Sequence, residues 1–229
     1  MQLVDLAETS RRDLNGRLHT LARDTNQTHW RVSNPGGAHA LAAGLDAPVT
    51  VEIAGHAGYY CAGMNKQATV IVEGNAGVGV AENMISGMVH VQGDASQAAG
   101  ATAHGGLLVI DGNASARCGI SMKGVNIVVK GSIGPMSAFM AQSGALVVLG
   151  DAGDALGDSI YEARLYVRGE VKSLGADCIE KEMREEHKVE LLRLLDKAGV
   201  DRDVRVDDFK RYGSARTLYN FHVDNASAY

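Results

Sequence analysis

The sequence predicts an all-β-dominated fold: a single-stranded, right-handed parallel β-helix of seven 19-residue coils, flanked by an N-terminal helical cap and a C-terminal helix with an extended tail. Three observations predict it. The 229-residue chain holds 28 glycines but only 3 prolines. A strand-like run precedes a glycine at a constant interval, and two columns of aliphatic residues keep the same register. The glycines that define coils 1 to 7 are Gly55, Gly74, Gly93, Gly112, Gly131, Gly150 and Gly169.

Residues 1–48 are predicted to form the N-terminal cap. Leucines recur at helical spacing between residues 5 and 23, with Thr9 or Ser10 as the N-cap, and the segment 34–37 (NPGG) breaks the chain. Residues 29–32 (HWRV) suit a short extended piece, in which Trp30 is interpreted as a packing residue.

Residues 49–178 are predicted to form the β-helix, because two aliphatic columns stand four and two residues before each glycine and therefore share one strand face. The first column is Val51, Val70, Val89, Leu108, Ile127, Leu146 and Leu165, and the second is Ile53, Val72, Val91, Ile110, Val129, Val148 and Val167. Seven residues after each glycine only Gly or Ala occurs, which indicates a narrow corner. The residue just after the glycine is polar, as expected of an exposed turn, and its carboxylates are too few for a calcium ladder.

Residues 179–199 are predicted to form a C-terminal helix that ends at Gly199, and residues 200–229 an aromatic tail. The tail either lies along the β-helix or inserts into another protein. An outward column, three residues before each glycine, is apolar at five of seven positions and so requires a cover. The C-terminal helix or tail, or a partner subunit, would supply it.

Composition excludes several classes of function. The net charge is -5 and no run of Lys or Arg exceeds two residues, so neither nucleic acid nor a membrane surface is an expected partner. The N-terminus lacks a signal-peptide core, and the predicted location is the cytoplasm.

The cysteines Cys61, Cys118 and Cys178 form no CxxC pair and are interpreted as buried apolar residues. The stretch TVIVEGNAGVGVAENMISG resembles a phosphate loop, but its glycine spacing fits neither nucleotide fingerprint.

Some residues depart from the repeat and are therefore candidates for an interface, together with the aromatics of the tail. No catalytic, cofactor-binding or metal-binding residue is predicted. The candidates are Tyr59, Tyr60, Met64, Asn65, Glu82, Asn83, Arg117, Asp158, Tyr161, Glu162, Arg164, Phe209, Tyr212, Tyr219 and Phe221.

The units AGHAGYYCAGMN, EGNAGVGVAENMISG and KGSIGPMSAFMAQSG resemble the C-terminal GXGXG β-helix domain of the large subunit of glutamate synthase, over about residues 49 to 178. The segments GADCIEKEM and RYGSARTLYNF make the chain most similar to the stand-alone β-helix subunit of a split glutamate synthase, of the N-methylglutamate synthase type. That enzyme converts glutamate and methylamine into N-methylglutamate and ammonia.

The resemblance implies a non-catalytic scaffold in a hetero-oligomer, because no catalytic residue of the family maps onto this sequence. It implies an amidotransferase-like partner and an FMN-binding, glutamate synthase-like partner that carries the iron–sulfur cluster, with no cofactor bound by this chain. Two alternatives stay open: a component similar to the β-helical subunit of formylmethanofuran dehydrogenase or of a formyltransferase/hydrolase complex, and a carbohydrate-binding β-helix.

Overall fold

The structure, a computed structural model, describes residues 1–217, which form one sheet of eleven strands and two α-helices. The strands are β1 (Gln2–Asp5), β2 (His29–Ser33), β3 (Thr50–Ile53), β4 (Thr69–Val72), β5 (Met88–Val91), β6 (Leu107–Ile110), β7 (Lys123–Val129), β8 (Ser143–Val148), β9 (Arg164–Val167), β10 (Cys178–Lys181) and β11 (Lys210–Ser214). The helices are α1 (Arg11–His19) and α2 (Glu185–Lys197), and a 3-10 turn covers Val206–Asp208.

The predicted parallel β-helix is confirmed. Strands β3 to β9 each precede one of the seven glycines, and each pairs in parallel with the next at a constant register, Thr50 opposite Thr69 being the first pair. One irregularity interrupts the register, between Lys123 and Asn126 of β7. The two inward aliphatic columns lie in the core and are at most 1% exposed. Alternation along the strand therefore fixes which face is buried.

The corners of coils 1 to 6 contain a repeated backbone feature. The residues five, seven and nine positions after each glycine all have positive φ, such as Tyr60, Ala62 and Met64 in coil 1. The middle position points into a crowded interior: a Cβ added at Gly100 would lie 2.6 Å from Cδ1 of Ile127. A left-handed conformation in a narrow space explains why this column contains only Gly and Ala.

The polar residue after each glycine belongs to a hydrogen-bonded ladder that the sequence did not reveal. The His56 ring accepts from the backbone N–H of Asn75 at 2.9 Å, and the Asn75 side chain accepts from the N–H of Asp94 at 3.0 Å. The pattern continues through Asn113, Ser132 and Asp151, ending at the N–H of Glu170. Each polar side chain thus satisfies a backbone donor of the next coil.

The boundary predicted at residue 48 is wrong, because the β-helix begins one coil earlier. Strand β2 pairs in parallel with β3, and the backbone N–H of Ala40 donates to the carbonyl of Tyr59 at 2.6 Å. The predicted helix exists as α1, with Ser10 as its N-cap. Trp30 is 2% exposed, as its interpretation as a packing residue required. Strand β1 was not predicted; it pairs with β2 and covers the first edge of the sheet.

The C-terminal prediction is correct for α2, but the predicted start of the helix at residue 179 is wrong, because residues 179–181 belong to β10. Strand β11 inserts antiparallel between β9 and β10, so that the strand order ends β9-β11-β10. Pairing with β11 outweighs the helical pattern that starts at Ile179.

Helix α2 supplies the cover that the apolar outward column requires. The buried cluster beneath the helix contains four residues of that column and five from the C-terminal segment: Val109, Val128, Val147, Tyr166, Leu191, Leu194, Leu195, Ala198 and Phe209. The two expected covers were the C-terminal segment of this chain and a partner subunit. The chain's own helix therefore covers these four residues of the column.

The cysteines are free and buried, as predicted. Burial raises the pKa of the Cys61 and Cys118 thiols to about 12. Within residues 1–217, no helix has the length and apolarity needed to cross a bilayer.

Candidate functional site

The first region of interest is the corner face, formed by Tyr59, Tyr60, Met64, Asn83 and Arg117. All except Tyr59 adopt positive φ, between 55° and 61°. These side chains depart from the aliphatic repeat because they project from the corners instead of packing inside. The corner face is therefore available for contact with another molecule.

Two kinds of contact organise the corner face. The Tyr59 ring is 58% exposed and stacks on the His39 imidazole, with 4.5 Å between ring centroids. The Asn83 amide donates to the Tyr60 hydroxyl at 3.3 Å, and the Thr102 hydroxyl donates to the Asn83 amide oxygen at 2.6 Å. Met64 is 49% exposed. Glu82, the chain neighbour of Asn83, is half-buried beside this chain of hydrogen bonds.

Three predicted interface residues are buried by the chain itself. Asn65 is fully buried, and its amide nitrogen donates to the carbonyls of Ala68 at 2.8 Å and Ser86 at 3.2 Å. Phe209 and Tyr212 are each 5% exposed. These three side chains are structural, and the prediction that they contact a partner is corrected. Tyr219 and Phe221 lie outside the described residues.

The second region is a cleft of about 210 Å³ at the C-terminal end of the β-helix, where β9, β10, β11 and the start of α2 meet. We call it the cationic cleft. Three of its lining residues, Tyr161, Glu162 and Arg164, belong to the predicted set. The other lining residues are Ala163, Lys181, His187, Arg211, Gly213, Ser214 and Arg216.

Asp158, also predicted, stabilises the corner next to the cationic cleft. Its carboxylate accepts from the Ser159 hydroxyl at 2.7 Å and from the backbone N–H of Ala176 at 3.1 Å. The Asp158 carboxylate therefore holds coil 6 to coil 7.

Two basic side chains of the cationic cleft are neutralised by carboxylates. The Arg164 guanidinium donates two hydrogen bonds to Glu190 of α2, at 2.7 and 2.8 Å, and the Tyr166 hydroxyl donates a third at 2.6 Å. Arg216 forms an ion pair with Glu162 at 2.9 Å. These pairs connect the cleft to α2 and to the end of β11.

The other two basic side chains bond to backbone carbonyls. The Lys181 ammonium donates to the carbonyl of Ser214 at 2.8 Å, and Nε of Arg211 donates to the carbonyl of Glu182 at 2.9 Å. Burial, together with the charges of Arg184 and Arg164, lowers the pKa of Arg211. Burial lowers the pKa of His187, and the Arg211 charge lowers it further. The cationic cleft therefore has an excess of positive charge.

The sequence pattern predicted only the residues on the β9 side of this cleft. Lys181, Arg211 and Arg216 lie in separate segments and form no basic run. They meet because β10 and β11 pair antiparallel, with Lys181 opposite Arg211. The basic residues within GADCIEKEM and RYGSARTLYNF were the available signal, but their pairing was not predicted.

Comparison with known proteins gives one full-length similarity. Protein GlxC from Rhizobium meliloti (strain 1021) is 65% identical to the chain over 229 residues, which cover 100% of both sequences. No protein-family model matches the chain.

Proposed function

The chain belongs to the GlxC family, and we propose that it is a structural subunit of a glutamate synthase-related, FMN-dependent enzyme complex. The main support for this proposal is that side chains fill the interior of the β-helix. Both inward columns consist of aliphatic side chains that are at most 1% exposed, so the interior is used for packing. Interactions with other molecules are then made by the outer surface, as expected of a scaffold.

The specific complex we propose is of the N-methylglutamate synthase type. In this proposal the β-helix holds an amidotransferase-like subunit against a subunit that binds FMN and an iron–sulfur cluster. The support is the resemblance of the coil sequences to the glutamate synthase GXGXG domain, together with the ladder of equally spaced parallel coils in the structure.

We assign one partner contact to the corner face. Its exposed apolar side chains, Tyr59 and Met64, are joined by Ile85 of coil 2, which is 45% exposed. Ile85 is held close to this corner, because its backbone N–H donates to the carbonyl of Asn65 at 2.8 Å. Exposed aromatic and methionine side chains are typical anchors of protein interfaces.

The test is purification of the full chain from its native cells, followed by mass spectrometry of the proteins that accompany it and by absorbance spectroscopy. We expect an amidotransferase-like chain and a flavin-containing chain in the complex. The full chain produced alone should show neither flavin absorbance nor glutaminase or oxidoreductase activity. Flavin bound to the lone chain would overturn the proposal.

A pair of variants tests the corner face. We expect Met64→Asp to reduce co-purification of a partner, because a carboxylate would be buried in the contact. The matched control is Leu192→Asp on α2, whose side chain is 59% exposed and lies away from the corner face. Full recovery of partners with Met64→Asp would reject this assignment.

A further inference from the structure

We propose that the cationic cleft binds a small oxyanion, namely a carboxylate or phosphate group of a low-molecular-weight ligand. This inference stands on the geometry of the cleft and does not depend on the proposed scaffold function.

The cationic cleft carries more positive than negative charge. Four basic side chains line it, against a single lining carboxylate, Glu162. Glu162 is engaged by Arg216, and Glu190 behind the cleft is engaged by Arg164. Among residues 1–217, no ion pair joins Lys181 or Arg211 to a carboxylate; their described hydrogen bonds go to main-chain carbonyls. Neither Lys181 nor Arg211 therefore has a carboxylate in direct contact, and the nearest compensation for Arg211 is the Glu186 carboxylate, which acts on it without a direct ion pair.

The donors of Lys181 and Arg211 are held in fixed positions. One bond to a fixed carbonyl holds each of Lys181 and Arg211, and antiparallel pairing places the two residues opposite one another on β10 and β11. Nε of Arg211 is used, which leaves the terminal guanidinium nitrogens as donors. A guanidinium beside an ammonium matches the oxygens of a carboxylate or phosphate. Donors that are already fixed lose little entropy on binding.

The charged form of Arg211 is destabilised in the free protein. Arg211 is half-buried, and burial and the neighbouring positive charges both disfavour its charged form. An oxyanion in the cleft would reverse both effects, because it would pair with the guanidinium and screen it from Arg164 and Arg184. A purely solvated basic surface would not place a guanidinium without a direct ion pair in a concave site.

The size of the cleft limits the ligand. A volume of about 210 Å³ is below the roughly 300–1,000 Å³ of pockets that hold drug-sized molecules. The cleft therefore suits inorganic phosphate or a short dicarboxylate, and it is too small to enclose a nucleotide.

Isothermal titration calorimetry of the full 229-residue chain at low ionic strength tests the proposal, with inorganic phosphate in one arm and glutarate in the other. We expect saturable binding at one site per chain for at least one probe, and the tighter probe identifies the oxyanion. Arg211→Gln and Lys181→Gln should each weaken binding about tenfold or more, because each removes a charged hydrogen-bond donor.

The control is Arg12→Gln, which removes the same charge from an exposed position of α1, at the other end of the β-helix, and should change affinity less than about twofold. A second variant, Lys181→Arg, keeps the charge and should bind more tightly than Lys181→Gln, which separates loss of charge from misfolding. The absence of saturable binding for both probes would refute the proposal. Equal losses in Arg12→Gln and Arg211→Gln would also refute it.

Discussion

At the scale of single residues, most of the glycines that define the coils provide space for the polar ladder. Of the seven, only Gly55 has positive φ. A Cβ at Gly93 would lie 2.2 Å from the side-chain oxygen of Asn75 and 2.9 Å from the backbone of Gly74. That volume is occupied by the side-chain oxygen of Asn75, which accepts a hydrogen bond from the backbone N–H of Asp94. The 19-residue interval therefore records a close approach between coils.

We expect Gly93→Ala to destabilise the protein by about 1–3 kcal/mol, the usual cost of inserting a methyl group into a filled space. The matched control is Gly16→Ala in α1, where an added Cβ would meet nothing within 4 Å. That change should stabilise the helix by roughly 0.5–1 kcal/mol, because alanine loses less conformational freedom. Urea denaturation measures both effects. Equal stability of Gly93→Ala and the parent would contradict the space-filling explanation.

The residue columns could be predicted from sequence because each repeats seven times and burial depends only on alternation. Asn65 could not be placed in this way. Its burial depends on the carbonyls of Ala68 and Ser86, and only the folded coils bring the latter to its amide. For the same reason the sequence predicted only part of the cationic cleft. Arg164 and Arg211 come together through the pairing of β9 with β11, and no repeat in the sequence encodes that pairing.

At the scale of elements, α2 is fixed to the β-helix by an apolar face and by one carboxylate. Leu191 and Leu194 of α2 are at most 1% exposed over the outward column. Glu190 sits beside them and accepts hydrogen bonds from Arg164 and Tyr166 of β9. Burial raises the pKa of Glu190, but these hydrogen bonds outweigh it, so the pKa lies below its ordinary value of 4.5.

We expect Glu190→Gln to lower stability at pH 7 by about 1–2 kcal/mol, a value kept small because the Arg164 side chain is 37% exposed. Because folding depresses this pKa, the stabilisation is complete above pH 4.5 and is lost as the pH falls through the lower folded-state pKa. The difference between parent and variant should therefore vanish in acid. Denaturant titrations from pH 7 to pH 3 measure it.

The matched control is Glu185→Gln in the first turn of α2, whose side chain is 86% exposed. Its effect should stay within about 0.5 kcal/mol across the range. A Glu190→Gln effect that is independent of pH would mean that the carboxylate charge does not hold α2 in place.

The helical pattern of residues 185–198 predicted α2 well, because its apolar stripe has the period of a helix. The same pattern was extended too far toward the N-terminus, over residues 179–184, the first three of which belong to β10. A four-residue strand adds too few alternations to compete with a helical stripe in sequence, and its pairing partner, β11, begins 29 residues after β10 ends. Local periodicity cannot encode such a distant pairing.

At the scale of the whole molecule, the two ends of the β-helix are closed in different ways. Strand β1 extends the parallel ladder by one rung at the N-terminal end. At the C-terminal end, β11 runs antiparallel to β9, and β10 pairs on its far side. Reversing the strand direction ends the repeat and covers the edge of β9. Phe209 and Tyr212, which flank the start of β11, are buried at this end.

Two deletions separate the part of the tail that closes the β-helix from the remainder. Removal of residues 208–229 takes away β11 and the two buried aromatics, which leaves the edge of β9 open and β10 without its partner. Removing one large buried aromatic side chain costs about 3–5 kcal/mol, and 1 kcal/mol shifts the melting temperature of a chain this size by roughly 2–4 °C. We therefore expect this deletion to melt at least about 10 °C below a deletion of residues 218–229, which retains β11. Thermal unfolding followed by circular dichroism compares the two. Equal melting temperatures would mean that the antiparallel strand does not stabilise the end of the β-helix.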